Sequence, residues 1–474
     1  MIDIATFFKL NDRVQIYRPG LCDQTGTCVL YWMQRSQPGY ENSALNAAIA
    51  LGNALELPIV VLFLVTEYPA ANLRHYTFML EGIANVAKQL AQRGTPLVIR
   101  RGSPSEEVVR MARELHAAAV ISDECEMRTP RAWRAAVKNQ LALPFACVDA
   151  DVVVPTRCFL KEEWAARTLR PKLHHLLPTY LQPIIDLEPA HPLQHPPCDA
   201  GAIDNPLSYL FQLQIDRSVE PSHQFHGGQD EGKSRLTRFI SERLAGYATH
   251  RNLPEITGTS KLSAYLHFGH ISIQQSAWEI VQSVAAETGS PLIEAGSGCS
   301  AYLEELIVRR ELAINFALRN PHYDSLEGCP HWGKETLKKH AADPRQWVYT
   351  CEELEQARTH DTLWNASQNE MVITGRMHGY MRMYWAKKIL EWTATPEEAF
   401  NHAVYLNDKY ELDGRDANGY TGAWAIGGKH DRPWGPEHPI FGLVRTMSLK
   451  GMQRKMDTRA YINMWSRHEE IATH

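Results

Sequence analysis

The chain predicts an α/β N-terminal domain, a doubly wound and Rossmann-like parallel sheet, followed by an all-α domain. Two observations carry this. Over the first 160 residues, short β-branched runs alternate with stretches that show apolar residues at helical spacing, the pattern of right-handed crossovers between parallel strands. Beyond a stretch rich in Pro, His, Gly and Gln at 188–234, the periodicity that returns is helical.

Taken in order, buried strands are expected at 28–33 (CVLYWM), 58–65 (PIVVLFLV), 96–100 (PLVIR), 119–122 (AVIS) and 144–154 (PFACVDADVVV). Between them, helices are expected at 42–56, 73–93, 105–116 and 130–141. These elements place the α/β domain at 20–160, a linker at 161–234 and the helical domain at 235–474. The helical domain should hold helices at 235–248, 271–286, 301–319, 351–359, 365–375, 382–391 and 396–406. A ligand of the sheet belongs beyond the C-terminal strand ends. Neither GxGxxG nor GxxxxGK[ST] occurs, so a dinucleotide fingerprint and a P-loop are not supported.

Composition excludes several classes. With 44% hydrophobic and 22% charged residues, the chain reads as an ordinary soluble globular protein. Its longest apolar run, 59–65, is too short to span a bilayer, and no secretion signal is visible at the start. The nine cysteines form no CxxC pair, so no metal site is expected. A reducing cytoplasm is the expected location, or the nucleus in a eukaryote. The net charge of −5 argues only weakly against a nucleic-acid partner, because a local basic groove suffices for phosphate contact. Arg445, Lys450, Arg454, Lys455, Arg459 and Arg467 make the C-terminal stretch basic.

The window 364–392, WNASQNEMVITGRMHGYMRMYWAKKILEW, is the most informative. Trp385 and Trp392 lie seven residues apart, about 10.5 Å along a helix and nearly on one face. Tryptophans at helical spacing are usually core. They are also the side chains best suited to pass single electrons, and Arg376, Arg382, Lys387 and Lys388 in the same window suit a nucleic-acid surface.

Longer motifs carry a family resemblance. The run 259–269 (TSKLSAYLHFG), with Ala264 in place of the usual proline, resembles the flavin phosphate-binding loop of the photolyase/cryptochrome family. The run 304–312 (EELIVRREL) resembles that family's lesion-reaching helix. Four runs resemble the class II cyclobutane pyrimidine dimer photolyases: 167–178 (RTLRPKLHHLLP), 359–368 (THDTLWNASQ), 375–392 and 406–435. The resemblance extends from about residue 28 to 465.

The resemblance implies light-dependent splitting of pyrimidine dimers by reduced FAD, with UV-damaged DNA as partner, no membrane and a monomer. The flavin does the chemistry, so no Ser/His/Asp arrangement is expected. It makes the helical domain FAD-binding, assigns Tyr247, Thr259, Ser260 and Ser263 to the pyrophosphate, and adds Lys261 and Leu262 to the cofactor-binding loop. Asn407 is assigned to flavin N5, Arg382 and Asp413 to an ion pair beside the ring, and Asn418 to a further flavin contact. Asp413-Gly414 and Asn418-Gly419 read equally as turns. The lesion is assigned to Glu305, which needs a proton to donate to a thymine carbonyl, to Met383 as pocket wall and to Trp424 as stacking partner. Arg251, Arg309, Trp434 and Arg445 are assigned to DNA. Trp385, Trp364 and Trp392 form an electron-transfer route with Trp385 nearest the flavin. The resemblance also allows the α/β domain a second, antenna chromophore, a deazaflavin or a folate. A signalling cryptochrome, a (6-4) photoproduct repair enzyme and a non-photochemical protein are the rival readings.

Overall fold

The computed structural model describes residues 1–195, 205–288 and 293–466, and only the backbone of 287, 288 and 423–425. The side chain of Trp424 and the whole of Arg467 therefore lie outside the described residues.

Six strands form one sheet: β1 (Val14–Arg18), β2 (Cys28–Met33), β3 (Ile59–Val65), β4 (Leu97–Arg101), β5 (Ala117–Asp123) and β6 (Phe145–Val148). Their order is β1-β6-β5-β2-β3-β4. Every pairing among β2 to β6 is parallel, and β2, β3 and β5 are wholly buried, as continuous apolar runs require. Helices Ser43–Leu55 and Leu73–Gln92 cover one face, while Pro104–Glu114 and Arg128–Gln140 cover the other.

Two expectations need correction. The edge strand β1 has no counterpart in the sequence reading and runs antiparallel to β6. Its charged and polar residues give a burial pattern too mixed for the apolar-run criterion. The run 144–154 is not one strand. It leaves the sheet after Val148, where the Asp149 carboxylate accepts from the amide and hydroxyl of Thr156 and Asp151 pairs with Arg35 and Arg310.

The remaining chain is helical among the described residues. Helix Ala166–Tyr180 opens the connecting segment, and its Leu169 and Leu173 join a core with Phe239, Tyr265 and Leu306. A second core surrounds Trp364, Trp385 and Trp392, carried by helices Thr362–Thr374 and Gly379–Trp392. The stretch expected as one helix at 301–319 has three parts: Gly298–Leu303, a π-helical turn at Glu304–Arg309, and Arg310–Arg319. Single π turns inside α-helices recur at functional sites.

Buried arginines join the sheet domain to the helices. Arg74 donates to the carbonyls of Val372 (2.6 Å) and Tyr410 (2.9 Å), the exposed ends of two helices. Asp151 receives Arg35 and Arg310, both at 2.6 Å. Gly269 ends the 259–269 loop at φ +63°, where an added Cβ would lie 1.7 Å from the Arg35 carbonyl oxygen. Only glycine permits that approach, which lets the Gly269 carbonyl accept from the Gln37 amide at 2.9 Å.

Candidate functional site

One cleft of about 640 Å³ opens in the helical domain, within the size range of cofactor sites. It gathers residues from four distant parts of the chain: Tyr247 and Arg251, the loop Thr259–Ser263, the π turn with Glu305 and Arg309, and the segment Arg376–Met383. Asp413, Asn418 and Arg445 complete it.

The loop wall is cationic. Lys261 takes φ +58°, an uncommon conformation for a side chain of that size. Burial, and then the nearby Arg376, Arg235 and Arg243, push its ammonium pKa down. Arg376 Nη2 donates to Thr259 Oγ1 at 2.9 Å, and the Tyr302 hydroxyl donates to Ser260 Oγ at 2.9 Å. Arg376 and Tyr302 are additions to the sequence-derived set. Arg376 stood in the basic window, but only its fold-back onto Thr259 reveals the contact.

These residues fit a large anionic cofactor such as a dinucleotide with its pyrophosphate. An ammonium whose pKa is lowered by burial and by neighbouring cations is stabilised by an anion placed among them. His378 adds a donor. Its Nδ1 accepts from the Tyr380 amide (3.2 Å), and burial lowers its pKa to about 3, so Nε2 carries the proton. That buried Nε2 has no partner among the described residues, and His378 lines the cleft.

Behind this wall, Arg382 Nη2 meets Asp413 Oδ1 at 2.8 Å and Glu411 Oε2 at 2.7 Å. The second carboxylate was not foreseen, since nothing local marks Glu411 among the acids of ELDGRD. Burial pushes its pKa up to about 8, although Arg382 acts to lower it. The native state thus holds a proton that the unfolded chain releases near 4.5, and stability contributed by this group falls as pH rises from about 4.5 to about 8. Glu411→Gln, permanently neutral, is expected to remove that dependence. Its unfolding free energy relative to wild type should climb with pH through the window at up to about 1.4 kcal/mol per pH unit. A difference that stays constant with pH would sink this account.

Asn407 is nearly buried and does not line the cleft, but its Nδ2 donates to Asp408 Oδ1 at 3.0 Å. A Cβ on Gly419 would lie 2.9 Å from that nitrogen, so glycine there leaves room for the amide. Asn418 is exposed within helix Ala417–Ala423 rather than in a turn. Asp413 sits in a turn and makes its ion pair as well.

At the mouth, Met383 is 38% exposed. Glu305 Oε1 pairs with Arg251 Nη1 at 3.0 Å, with the two side chains 40% and 30% exposed. The Glu305 carboxylate thus stands on Arg251, the residue that the sequence assigned to DNA. Trp434 lies between Arg432 and Arg445, whose guanidinium carbons are 4.7 and 5.1 Å from its ring centre.

The tryptophans form a contiguous line. Trp364 and Trp385 are parallel at 6.2 Å, and Trp364 meets Trp392 at 5.7 Å. The Trp364 indole donates to the Trp385 carbonyl and the Trp385 indole to Gln368 Oε1, which fixes both rings. Trp364, on the preceding helix, thus stands between Trp385 and Trp392, in contact with both. Beyond Trp392 lie Tyr349 and His360, then the half-exposed Trp347 stacked on His360 at 4.6 Å.

A family model described as DNA photolyase matches residues 29–196. The chain is 40% identical over 453 residues to a deoxyribodipyrimidine photo-lyase of Methanothermobacter thermautotrophicus, covering 93% of this chain and 95% of that protein. It is 39% identical to the Arabidopsis thaliana deoxyribodipyrimidine photo-lyase, covering 95% and 92%. Among solved structures, a Synechocystis cryptochrome aligns at a TM-score of 0.72 with 16% identity, over 93% of this chain and 88% of its own, which speaks for the fold. By sequence over nearly its full length, and by fold, the chain belongs to the photolyase/cryptochrome family.

Proposed function

We propose that the chain is a class II deoxyribodipyrimidine photo-lyase that repairs cyclobutane pyrimidine dimers in UV-damaged DNA in the light. The observation that carries this is a single cleft joining the cationic Thr259–Ser263 loop to the Glu305 and Met383 mouth, in a chain about 40% identical to named photo-lyases. Bound there, reduced FAD would supply the light-driven electron transfer by which the dimer opens. The protein binds, orients and excludes water. Lys261, Arg376 and the loop hydroxyls hold the pyrophosphate. Arg382, clamped by two acids, would keep a fixed positive charge beside the ring, with Asn407, which lies outside the cleft lining, as the candidate partner of ring nitrogen N5. The lesion must leave the stack to enter, where Met383 and Trp424 take its apolar faces and Glu305 its carbonyl edge. Trp385, Trp364 and Trp392 restore the reduced cofactor.

A second cavity of about 170 Å³ lies beyond the C-terminal ends of β2 and β3, where open α/β sheets bind ligands. Its lining of Met33, Phe63, Leu64, Tyr76, Met79 and Trp133 suits a flat aromatic chromophore. We assign it to the antenna, a deazaflavin or a folate. The overall test incubates reduced protein with an oligonucleotide carrying one thymine dimer. Restoration of thymines is expected in blue light and not in the dark. Flavin-loaded protein that binds the DNA and restores nothing would favour a photoreceptor instead.

A further inference from the structure

We propose that Trp164 and Arg167 form a second nucleic-acid contact, one that stacks on the undamaged strand opposite the extruded dimer. The inference rests on the DNA-repair reading and adds a partner strand to it. Trp164 is 52% exposed, and the Arg167 guanidinium carbon stands 4.1 Å from its ring centre. Isolated exposed apolar side chains are common and mean little. Here the cation, itself exposed, lies on the indole face rather than on a carboxylate, and Lys172, paired with Glu163, and His174 follow on the solvent side of the same helix. A flat aromatic capped by arginine is the combination that accepts a nucleobase face and the adjoining phosphate.

Its position relates it to the cleft. Helix Ala166–Tyr180 packs on the π turn. Arg170 donates to both Glu304 oxygens, at 2.9 and 2.7 Å, and Glu304 also receives Arg309, a cleft residue, at 3.2 Å. The Trp164 carbonyl accepts from His430 Nδ1 at 3.0 Å, where burial lowers the imidazole pKa to about 4 and keeps the ring neutral. That histidine belongs to the same loop as Arg432 and Trp434, so one loop braces both exposed tryptophans.

The two platforms face different strands. Arg445, which flanks Trp434, lines the cleft and so borders the strand that delivers the lesion. Trp164 does not line it, and the helix that follows Trp164 joins the cleft wall through Arg170 on Glu304. Extruding the dimer leaves two bases of the other strand without partners, and their exposed faces and phosphates match an indole beside a guanidinium.

The test uses full-length, flavin-loaded protein in the dark, with a duplex carrying 2-aminopurine opposite a thymine dimer. Wild type is expected to quench the probe on binding. Trp164→Ala/Arg167→Ala should lose the quenching and bind the damaged duplex about tenfold more weakly. The slope of log affinity against log salt should fall by about one. Affinity for the same dimer in single-stranded DNA, and its light-driven repair, should stay within twofold. Arg167→Lys, which keeps charge but not a planar stack, should fall between. Equal affinity of wild type and the double variant for the duplex overturns the proposal, as does an equal loss on duplex and single strand. Failure of the repair reading looks different: wild type restores no single-stranded dimer in light, whatever the dark titration shows.

Discussion

Trp385→Phe is expected to reduce flavin photoreduction to background while leaving repair by chemically reduced protein intact. A phenyl ring fills most of the volume but is far harder to oxidise than an indole. The next indole, Trp364, lies 6.2 Å further along the line. The rings around it are held rigidly: Trp364 is fully buried, and its indole hydrogen bond goes to the backbone carbonyl of residue 385, which the substitution preserves. The variant should therefore fold and retain flavin, with Gln368 Oε1 losing one donor at a cost of about 1–3 kcal/mol. Bleaching of oxidised flavin under steady blue light with an external thiol measures the effect, and repair after chemical reduction serves as the control. Photoreduction at the wild-type rate would remove Trp385 from the route.

Asp151→Ala carries the largest expected stability effect. Its Oδ2 is shared by Arg35 and Arg310, whose side chains are only 11% and 7% exposed. Removing the carboxylate strands two buried cations and should cost about 3–5 kcal/mol, as breaking a buried ion pair does. Arg310 lines the cofactor cleft while Arg35 lines the sheet-side cavity. Weakened flavin retention is therefore expected together with a lower unfolding midpoint. Urea unfolding of wild type and variant, followed by flavin release and by far-UV circular dichroism, tests both parts. A midpoint shift equivalent to less than about 1 kcal/mol would show that Arg35 and Arg310 find other partners.

The strands β2 to β5 and the helices between them were legible in the sequence because each buries a continuous run or an apolar stripe that has the period of its own element. β1 escaped because a half-exposed edge strand has no such run, and the end of β6 was misread because Val152, Val153 and Val154 are buried without being in the sheet. The loop Thr259–Ser263, the ion pair of Arg382 with Asp413 and the three tryptophans were likewise legible, since motif and residue type mark them.

The tertiary structure alone decided the other contacts of the site. Glu411 joins Arg382, Arg376 reaches Thr259, Arg251 covers Glu305, and Trp364 bridges Trp385 to Trp392. The last pair of contacts joins neighbouring helices, and Arg376 and Thr259 lie 117 residues apart. Periodicity reports which face of an element is buried, a property of a few adjacent residues. Contacts between distant segments depend on how helices cross and loops return, which no local pattern encodes.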